Sequence, residues 1–114
     1  MIDILSYPFT KQADAPVIVD PKKGIYYRNP MFYAIGHLSR YVKPGSVRVK
    51  MNFYSAPIMY AEQHIAFITP DNYLVVFIMN ANINPMPVNI GIDTRTKVDV
   101  LLDTKSFNTF IFRI

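Results

Sequence analysis

The sequence predicts a mainly-β chain, an antiparallel β-sandwich preceded by a single β/α unit. Isoleucine, valine, phenylalanine and tyrosine are abundant in these 114 residues, which favours strands. Glutamate occurs only once, which disfavours long surface helices. Before Gly45 the apolar residues follow a helical spacing, and after it they recur at every second position. The length suits one domain, or one domain and part of another.

The predicted β/α unit begins at Pro16–Asp20, a continuous apolar run typical of a strand buried on both faces of a parallel sheet. A Pro-Lys-Lys-Gly turn follows at residues 21–24. Asn29-Pro30 predicts the start of a helix, because asparagine caps helices well and proline suits the first helical position. Pro44-Gly45 predicts its end. The residues expected on its apolar face are Phe32, Ile35, Leu38 or Ser39, and Val42.

Short segments of alternating or continuous apolar character predict the strands of the sandwich. They are Val47–Phe53, His64–Thr69, Tyr73–Asn80, Val88–Ile92, Lys97–Leu102 and Phe107–Arg113. Pro70-Asp71-Asn72 predicts a hairpin turn, and the prolines of Asn82–Pro87 predict a loop. Five or six short strands joined by tight turns are typical of a β-sandwich.

Charge and composition argue against several classes of protein. The net charge of +4 comes from twelve basic residues scattered along the chain, so no nucleic-acid partner is predicted. Without cysteine there is neither a disulfide framework nor a thiolate nucleophile. The first residues lack the pattern of a signal peptide. The longest apolar run, Tyr73–Met79, is far shorter than the roughly 20 residues of a membrane-spanning helix.

Several segments resemble the glucosylceramidases of glycoside hydrolase family 30, the lysosomal acid β-glucosidases. Pro16–Asp20 is similar to the PIIVD segment of that family, Pro30–Tyr41 to PMFYxxGHxSKF, and Pro44–Val49 to PxGSxRV, with matching spacing. Further along, Val75–Asn80 resembles VVVLN and Ser106–Phe112 resembles SIHTYLW. The resemblance covers roughly residues 14–114.

The resemblance implies a C-terminal segment of a retaining β-glucosidase that hydrolyses glucosylceramide in lysosomal sphingolipid catabolism. Residues 1–45 would be the terminal β/α unit of a truncated (β/α)₈ barrel, and residues 46–114 the accessory β-sandwich. The implied partners are the remainder of the barrel, an activator protein and an anionic lipid surface. No metal or other cofactor is implied.

The sequence departs from the family where the chemistry would lie. Tyr7–Gln12 stands where the family has NWVRNF, which carries aromatic and polar groups near the substrate. The acid/base and nucleophilic glutamates of the family lie on earlier barrel strands, and nothing here corresponds to them. No catalytic or substrate-binding residue is therefore assigned, and these 114 residues alone are expected to be inactive.

The carboxylates of the chain offer no evident catalytic pair. A retaining glycosidase needs two carboxyl groups about 5–5.5 Å apart. The chain has seven aspartates and one glutamate, Glu62, at the edge of a candidate strand. Turn formation accounts for most of the aspartates, and Asp99 is expected to face solvent. The aspartates in or beside apparent turns are Asp71, Asp93 and Asp103.

Asp20 is the carboxylate with a positional argument, since it follows a predicted barrel strand. Active-site groups gather at the carboxyl ends of such strands, but a turn-forming role is favoured here over a place at the rim. Asp14 is likewise expected to hold a loop. His37 and His64 share no ligand-spaced motif, so packing or surface roles are favoured and no metal site is predicted.

Methionines and tyrosines are interpreted as packing residues. The methionines lie on different candidate strands, which favours filling gaps in a core over forming a ligand box. They are Met51, Met59, Met79 and Met86. Tyr26, Tyr27 and Tyr33 are expected to pack the helix against a barrel, the alternative being a sugar-stacking platform, which requires exposed rings.

Two other functions remain open from the sequence. The chain could be a free-standing β-sandwich that binds carbohydrate, lipid or protein, although such a module has no need of a leading β/α unit. It could also be a decayed copy without stable function. A dependent segment should expose the apolar face of the helix at residues 30–42 and leave a sheet edge unpaired, whereas a free-standing module should cover that helix.

Overall fold

The computed structural model describes residues 15–52, 54 and 62–114. These residues form eight strands and one helix. In chain order they are β1 (Val17–Asp20), β2 (Ile25–Arg28), α1 (Pro30–Tyr41), β3 (Val47–Val49), β4 (Glu62–Ile68), β5 (Tyr73–Asn80), β6 (Met86–Gly91), β7 (Lys97–Leu102) and β8 (Ser106–Arg113). The chain divides into two compact units, the first ending at Leu38 and the second beginning at Ser39, within α1.

The first unit contains a β-hairpin in place of the expected parallel strand. β1 pairs antiparallel with β2, from Val17 opposite Arg28 to Asp20 opposite Ile25. Three of the four residues of β1 and all four of β2 are exposed. The predicted strand exists, but its predicted parallel pairing and its burial on both faces are wrong. The turn at residues 21–24 is short enough to fold the chain straight back, and Gly24 supplies the positive φ of 65° that the reversal requires.

The helix begins and ends close to the predicted residues. The Phe32 N–H donates to the Asn29 carbonyl at 2.9 Å, which closes the first turn. The Asn29 side chain donates its Nδ2 to the Ala15 carbonyl at 2.7 Å, tying the start of α1 to the residue before the hairpin. At the other end, the Ser46 N–H and hydroxyl both donate to the Lys43 carbonyl. The first contact pairs an N–H of the first helical turn, and the others fix the chain on either side of α1.

The second unit is a β-sandwich of two antiparallel sheets. The larger sheet has the strand order β3-β4-β5-β8, and the smaller consists of β6 and β7. The core lies between them, with Ala66, Val76 and Ile78 from one sheet meeting Met86, Ile90 and Leu102 from the other. The predicted sandwich architecture is confirmed.

Strand β5 is the centre of the larger sheet. Its residues 75–78 are all buried, so both faces of the sheet are covered there. Phe77 points away from the sandwich core and contacts Phe67 and Phe107, with ring centroids 6.3 and 6.1 Å apart. The turn before β5 contains Asn72 at a φ of 62°, a conformation that asparagine tolerates.

One strand was not predicted, and several strand boundaries differ from prediction, most of all in β3 and β6. β2 was not predicted, because Ile25–Arg28 is too short to show a period of two. β3 ends at Val49 because its pairing with β4 ends there, opposite Ala66. β6 begins at Met86 and includes Pro87, within the predicted loop, since proline is tolerated near the start of a strand.

Candidate functional site

Asp20 and Asp103 support local turns. The Asp20 Oδ1 accepts the backbone N–H groups of Lys22 and Lys23 at 3.1 and 3.2 Å. The Asp103 Oδ1 accepts the Thr104 N–H at 2.7 Å. Both carboxylates thus make the short-range bonds typical of turn residues, and the turn-forming role predicted for them is confirmed.

Asp93 and Asp99 are also engaged locally. The N–H groups of Arg95 and Thr96 donate to the Asp93 Oδ1 at 2.7 and 2.6 Å. Donation by the Thr96 and Arg95 backbones lowers the pKa of the Asp93 carboxyl below its usual value of 3.8. Asp99 is exposed, as predicted, and accepts the Asn89 Nδ2 at 2.5 Å across the β6–β7 pair.

Asp71 forms an ion pair with Lys43, just beyond the end of α1. Its Oδ2 lies 2.6 Å from the Lys43 Nζ, and this hydrogen bond lowers the pKa of the Asp71 carboxyl below 3.8. The Asp14 residue and the Glu62 side chain lie outside the described part of the chain. Among the carboxylates that are described, each contact above serves a turn or a surface pair, which gives no basis for assigning a catalytic pair.

The histidines lie on separate elements. His37 is half-buried on α1 and His64 is half-buried on β4. No group of three or more histidines, aspartates or glutamates suited to a metal ion occurs among residues 15–52, 54 and 62–114. Two of the predicted core methionines do pack as expected, since Met86 is buried in the sandwich core and Met51 lies against it. Met59 lies outside the described residues, and Met79 is half-buried on β5.

Four side chains at the β2–α1 junction form a continuous cluster, called here the aromatic–arginine cluster: Tyr26, Arg28, Phe32 and Tyr33. The Arg28 guanidinium lies between two rings, 5.5 Å from the Tyr26 centroid and 5.0 Å from the Phe32 centroid. Its Nη2 donates to the Tyr26 hydroxyl at 3.2 Å. The Phe32 ring meets the Tyr33 ring edge to face, with centroids 5.3 Å apart.

The cluster is exposed and cationic. Tyr26 is 58% exposed and Tyr33 56% exposed, and Arg28 is exposed as well. The hydrogen bond to Tyr26 raises the pKa of the Arg28 guanidinium, which stays charged. Sequence reasoning named Tyr26 and Tyr33 but missed Arg28. The spacing of the residues could have revealed Arg28. Residues two apart share a strand face, which places Arg28 beside Tyr26, and Phe32 follows in the first turn of the helix.

Apolar side chains of the first unit remain open to solvent. Within α1 no residue is buried, and Ile35 on its predicted apolar face is 53% exposed. The exposed apolar residues of the hairpin and helix are Val17, Ile18, Val19, Ile25, Tyr26, Tyr27, Met31, Tyr33, Ile35 and Leu38. Exposed apolar residues in this number make the hairpin and helix a candidate interaction surface.

Two shallow depressions lie on the second unit. One, of about 260 Å³, has an apolar floor of Tyr73, Val75 and Ile111 beside the Lys43–Asp71 pair. The other, of about 470 Å³, follows the outer side of β6 and β7 past Asn89 and Asp99. Each is lined by a single carboxylate, so neither provides the pair that glycoside hydrolysis requires.

Comparison with protein families assigns the chain. Residues 45–110 match the glycosyl hydrolase family 30 β-sandwich domain, and residues 7–42 match the TIM-barrel domain of the same family. The chain belongs to glycosyl hydrolase family 30. The resemblance noted in the sequence is therefore confirmed, and the chain is a member of a glycosidase family.

Curated relatives carry glucosylceramidase names. The chain is 29% identical over 100 residues to the lysosomal acid glucosylceramidase of Mus musculus, covering 88% of the chain and 19% of the mouse protein. It is 37% identical over 83 residues to the protein named glucosylceramidase 1 of Caenorhabditis elegans, covering 70% of the chain and 15% of the relative. The chain thus spans a fifth or less of the length of these relatives.

Two solved structures share the fold of the chain. An endo-β1,6-glucanase matches 86% of the family 30 chain with a TM-score of 0.72 at 23% identity, over 21% of its own length. SrfJ of Salmonella typhimurium matches 89% with a TM-score of 0.73 at 24% identity, over 22% of its length. Within residues 15–52, 54 and 62–114, no helix has the length and apolarity to cross a membrane.

Proposed function

We propose that this chain is the C-terminal part of a glucosylceramidase-like retaining β-glucosidase, which cleaves the β-glucosidic bond of glucosylceramide. In this proposal the chain supplies the accessory β-sandwich and the catalytic carboxylates lie elsewhere in the protein. The observation that carries it is the exposed apolar surface of the β1–β2 hairpin and α1. Its support comes from the match to both the barrel and the sandwich of family 30.

The proposed division of labour follows the two matched segments. Residues 1–45 would contribute the terminal part of the (β/α)₈ barrel, with the apolar face of α1 against the remaining barrel. Residues 46–114 would form the sandwich that braces that barrel from outside. The uncovered face of Ile35 and Leu38 favours this arrangement over a free-standing binding module, which would cover its own helix.

The chemistry of a retaining glucosidase defines what the chain would do. One carboxylic acid protonates the leaving oxygen while the other attacks the sugar and forms a covalent intermediate, which water then hydrolyses. Both groups must be held in place within a fraction of an ångström by packed scaffolding. The residues of this chain would serve that positioning, through the helix that closes the barrel and the sandwich core behind it.

Further parts of the proposal rest on the similarity to the mouse protein, whose name places it in the lysosome. We propose a lysosomal location and a role in sphingolipid metabolism. An activator protein and an anionic lipid surface would assist the whole enzyme, without a metal or other cofactor.

A chimaera tests the proposal directly. The matched 100-residue segment of the mouse glucosylceramidase is replaced by this chain, and hydrolysis of a fluorogenic β-glucoside is measured beside the 114-residue chain alone. We expect turnover by the chimaera and none by the chain. Turnover by the chain alone, or a folded chimaera without activity, would contradict the proposal.

A matched pair of substitutions tests the role of the exposed helix face. Ile35→Asp in the chimaera places a charge at the proposed barrel contact and should abolish the soluble, active form. Ile83→Asp changes the same residue type at a loop position that is 75% exposed, and should be tolerated. Equal effects of the two substitutions would argue that α1 does not contact the barrel.

A further inference from the structure

We propose that the depression of about 260 Å³ beside the Lys43–Asp71 pair is a binding site for a small apolar carboxylate, an aromatic or short aliphatic acid. It is called here the basic depression. The described residues that line it all belong to the second unit, from Arg40 to Ile111. The proposal does not depend on the proposed function, because it is argued from this depression alone.

The first argument is the apolar interior of the basic depression. Val75 on β5 and Ile111 on β8 lie opposite each other in the sheet register and form its floor, with Tyr73 beside them. Val75 is buried in the packed sheet, whereas Ile111 is 47% exposed and can be reached from solvent. The volume lies below the roughly 300–1,000 Å³ of drug-sized sites, so it suits a single ring or a short chain.

The second argument is the charge at the rim. Arg40 and Lys43 line the basic depression, and Arg113 extends from the same face of β8 as Ile111. Asp71 is the single carboxylate among the described lining residues, and its Oδ2 is paired with the Lys43 Nζ at 2.6 Å. In the described part of the chain, neither arginine forms an ion pair. This excess of positive charge favours an anionic ligand over a neutral or cationic one.

The third argument is the position of the Arg40 guanidinium. It lies 5.7 Å from the centroid of the neighbouring Tyr41 ring, which also lines the basic depression. A guanidinium packed on a ring keeps its N–H donors available in its own plane, where two of them match the two oxygens of a carboxylate. Among the residues that the structure describes, these donors bond to no protein group.

A small acid fits these features better than other ligands do. A helix or strand of another protein docks through several side chains, but the basic depression has room for one ring or short chain. A neutral apolar molecule would cover the floor and leave the cationic rim without an acceptor. An apolar acid places its body on the floor and its carboxylate at Arg40, so both parts of the site are used.

The experiment is a titration of the ¹⁵N-labelled 114-residue chain with sodium benzoate at constant ionic strength, followed by amide chemical shifts. Benzamide is the control for a neutral ring, and acetate is the control for a carboxylate without a ring. We expect saturable benzoate shifts at residues 40–43, 69–75 and 111–113, and binding of both controls that is weaker by about tenfold or more. Absence of saturable shifts at high millimolar benzoate would overturn the proposal. Benzamide or acetate binding as tightly as benzoate would also overturn it.

Matched variants identify the groups involved. Arg40→Gln removes the charge and the planar fork, and should weaken benzoate binding by about tenfold. Arg95→Gln removes the same charge from the exposed turn between β6 and β7, and should leave the affinity unchanged. Ile111→Ala shortens the floor and should weaken binding about two- to tenfold, whereas Ile83→Ala, at a loop position that is 75% exposed, should have no effect. Equal weakening by a variant and its matched control would refute the site.

The direction of one further effect tests the charge argument. Asp71→Asn removes the single carboxylate at the rim and releases Lys43, so benzoate should bind about two- to tenfold more tightly. Weaker binding by this variant would contradict the proposal, since Asp71 would then be attracting the ligand. Spectra of the sandwich residues verify that each variant remains folded. Because binding is measured on the isolated chain, the outcome is independent of the activity of the chimaera.

Discussion

The two units of the chain contain similar apolar residues, but these are buried in the second unit and exposed in the first. In the sandwich, Phe77 is 2% exposed and residues on both faces of β5 are buried. In the hairpin and helix, Ile35 and Tyr26 are more than half exposed. Tight turns and helix-end contacts shape both units, but burial requires a second layer. Regular secondary structure therefore does not guarantee burial. Both units form strands or a helix, but only the sandwich has a buried core.

The largest effect that tests this comparison is expected from truncating one apolar side chain in each unit. Phe77→Ala should lower the free energy of unfolding by about 3–5 kcal/mol, because it removes a ring packed between Phe67 and Phe107. Ile35→Ala in the same chain should change it by no more than about 0.5 kcal/mol, since the side chain is exposed. Urea denaturation followed by circular dichroism measures both.

The same pair can sharpen the comparison in the chimaera. If the barrel covers α1, Ile35→Ala there should cost about 2–5 kcal/mol, as for a buried isoleucine. Near-zero cost in both settings would show that the exposed face is simply a solvated surface. A large cost in the isolated chain would mean that the first unit is already packed.

A smaller effect is expected from adding one methyl group to a glycine in each unit. Gly45 has a φ of 85°, and a Cβ there would lie 3.2 Å from the Pro70 Cγ, so Gly45→Ala should destabilise the chain by about 1–2 kcal/mol. Gly36 lies inside α1 with no atom within 4 Å of an added Cβ, so Gly36→Ala should stabilise the helix by about 0.5–1 kcal/mol. Thermal unfolding of both variants measures the opposite signs, and shifts in the same direction would contradict them.

The smallest expected effect is a pH dependence from the Lys43–Asp71 pair. Since the folded pKa of Asp71 is lowered, the pair contributes stability above the unfolded value of 3.8, and that contribution is lost as the pH falls through the folded pKa. Wild type should exceed Asp71→Asn in melting temperature by a small amount at about pH 6, and the difference should shrink as the pH is lowered through the folded pKa of Asp71. Both side chains are largely exposed, so added salt should shrink the difference too. A difference that grows on acidification would refute the assignment.

The elements that the sequence predicted correctly are mostly those that depend on interactions between residues close together in the chain. Asn29-Pro30 and Pro44-Gly45 bracket α1 because capping and chain reversal are local. β5 agrees in full with Tyr73–Asn80, because β8 pairs with its whole length and β4 with residues 74–80. Val17–Asp20 was wrongly assigned to a parallel sheet because a short apolar run does not reveal which strand it pairs with.

The candidate site could not be predicted in full, because its contacts join side chains from different segments of the chain. Tyr26 and Tyr33 could be listed from the sequence, but their exposure could not, since exposure depends on which layers lie nearby. Arg28 became notable only when β2 brought it next to the first turn of α1. The turn roles of Asp20 and Asp93 were predictable, because each aspartate bonds to N–H groups two and three residues along the chain.

One buried amide joins two loops of the sandwich into a single cooperative element. The Asn80 side chain is 0% exposed, and its Nδ2 donates to the carbonyls of Asn84 and Asp103 at 3.0 and 2.9 Å. Its Oδ1 accepts the Asn82 N–H, and the Lys105 N–H in turn donates to the Asn82 carbonyl. Opening either loop therefore breaks hydrogen bonds made by the other loop. The amide hydrogens of both loops should then exchange at a common rate. Because Asn80 at the end of β5 is bonded to both loops, we expect the two loops to open together.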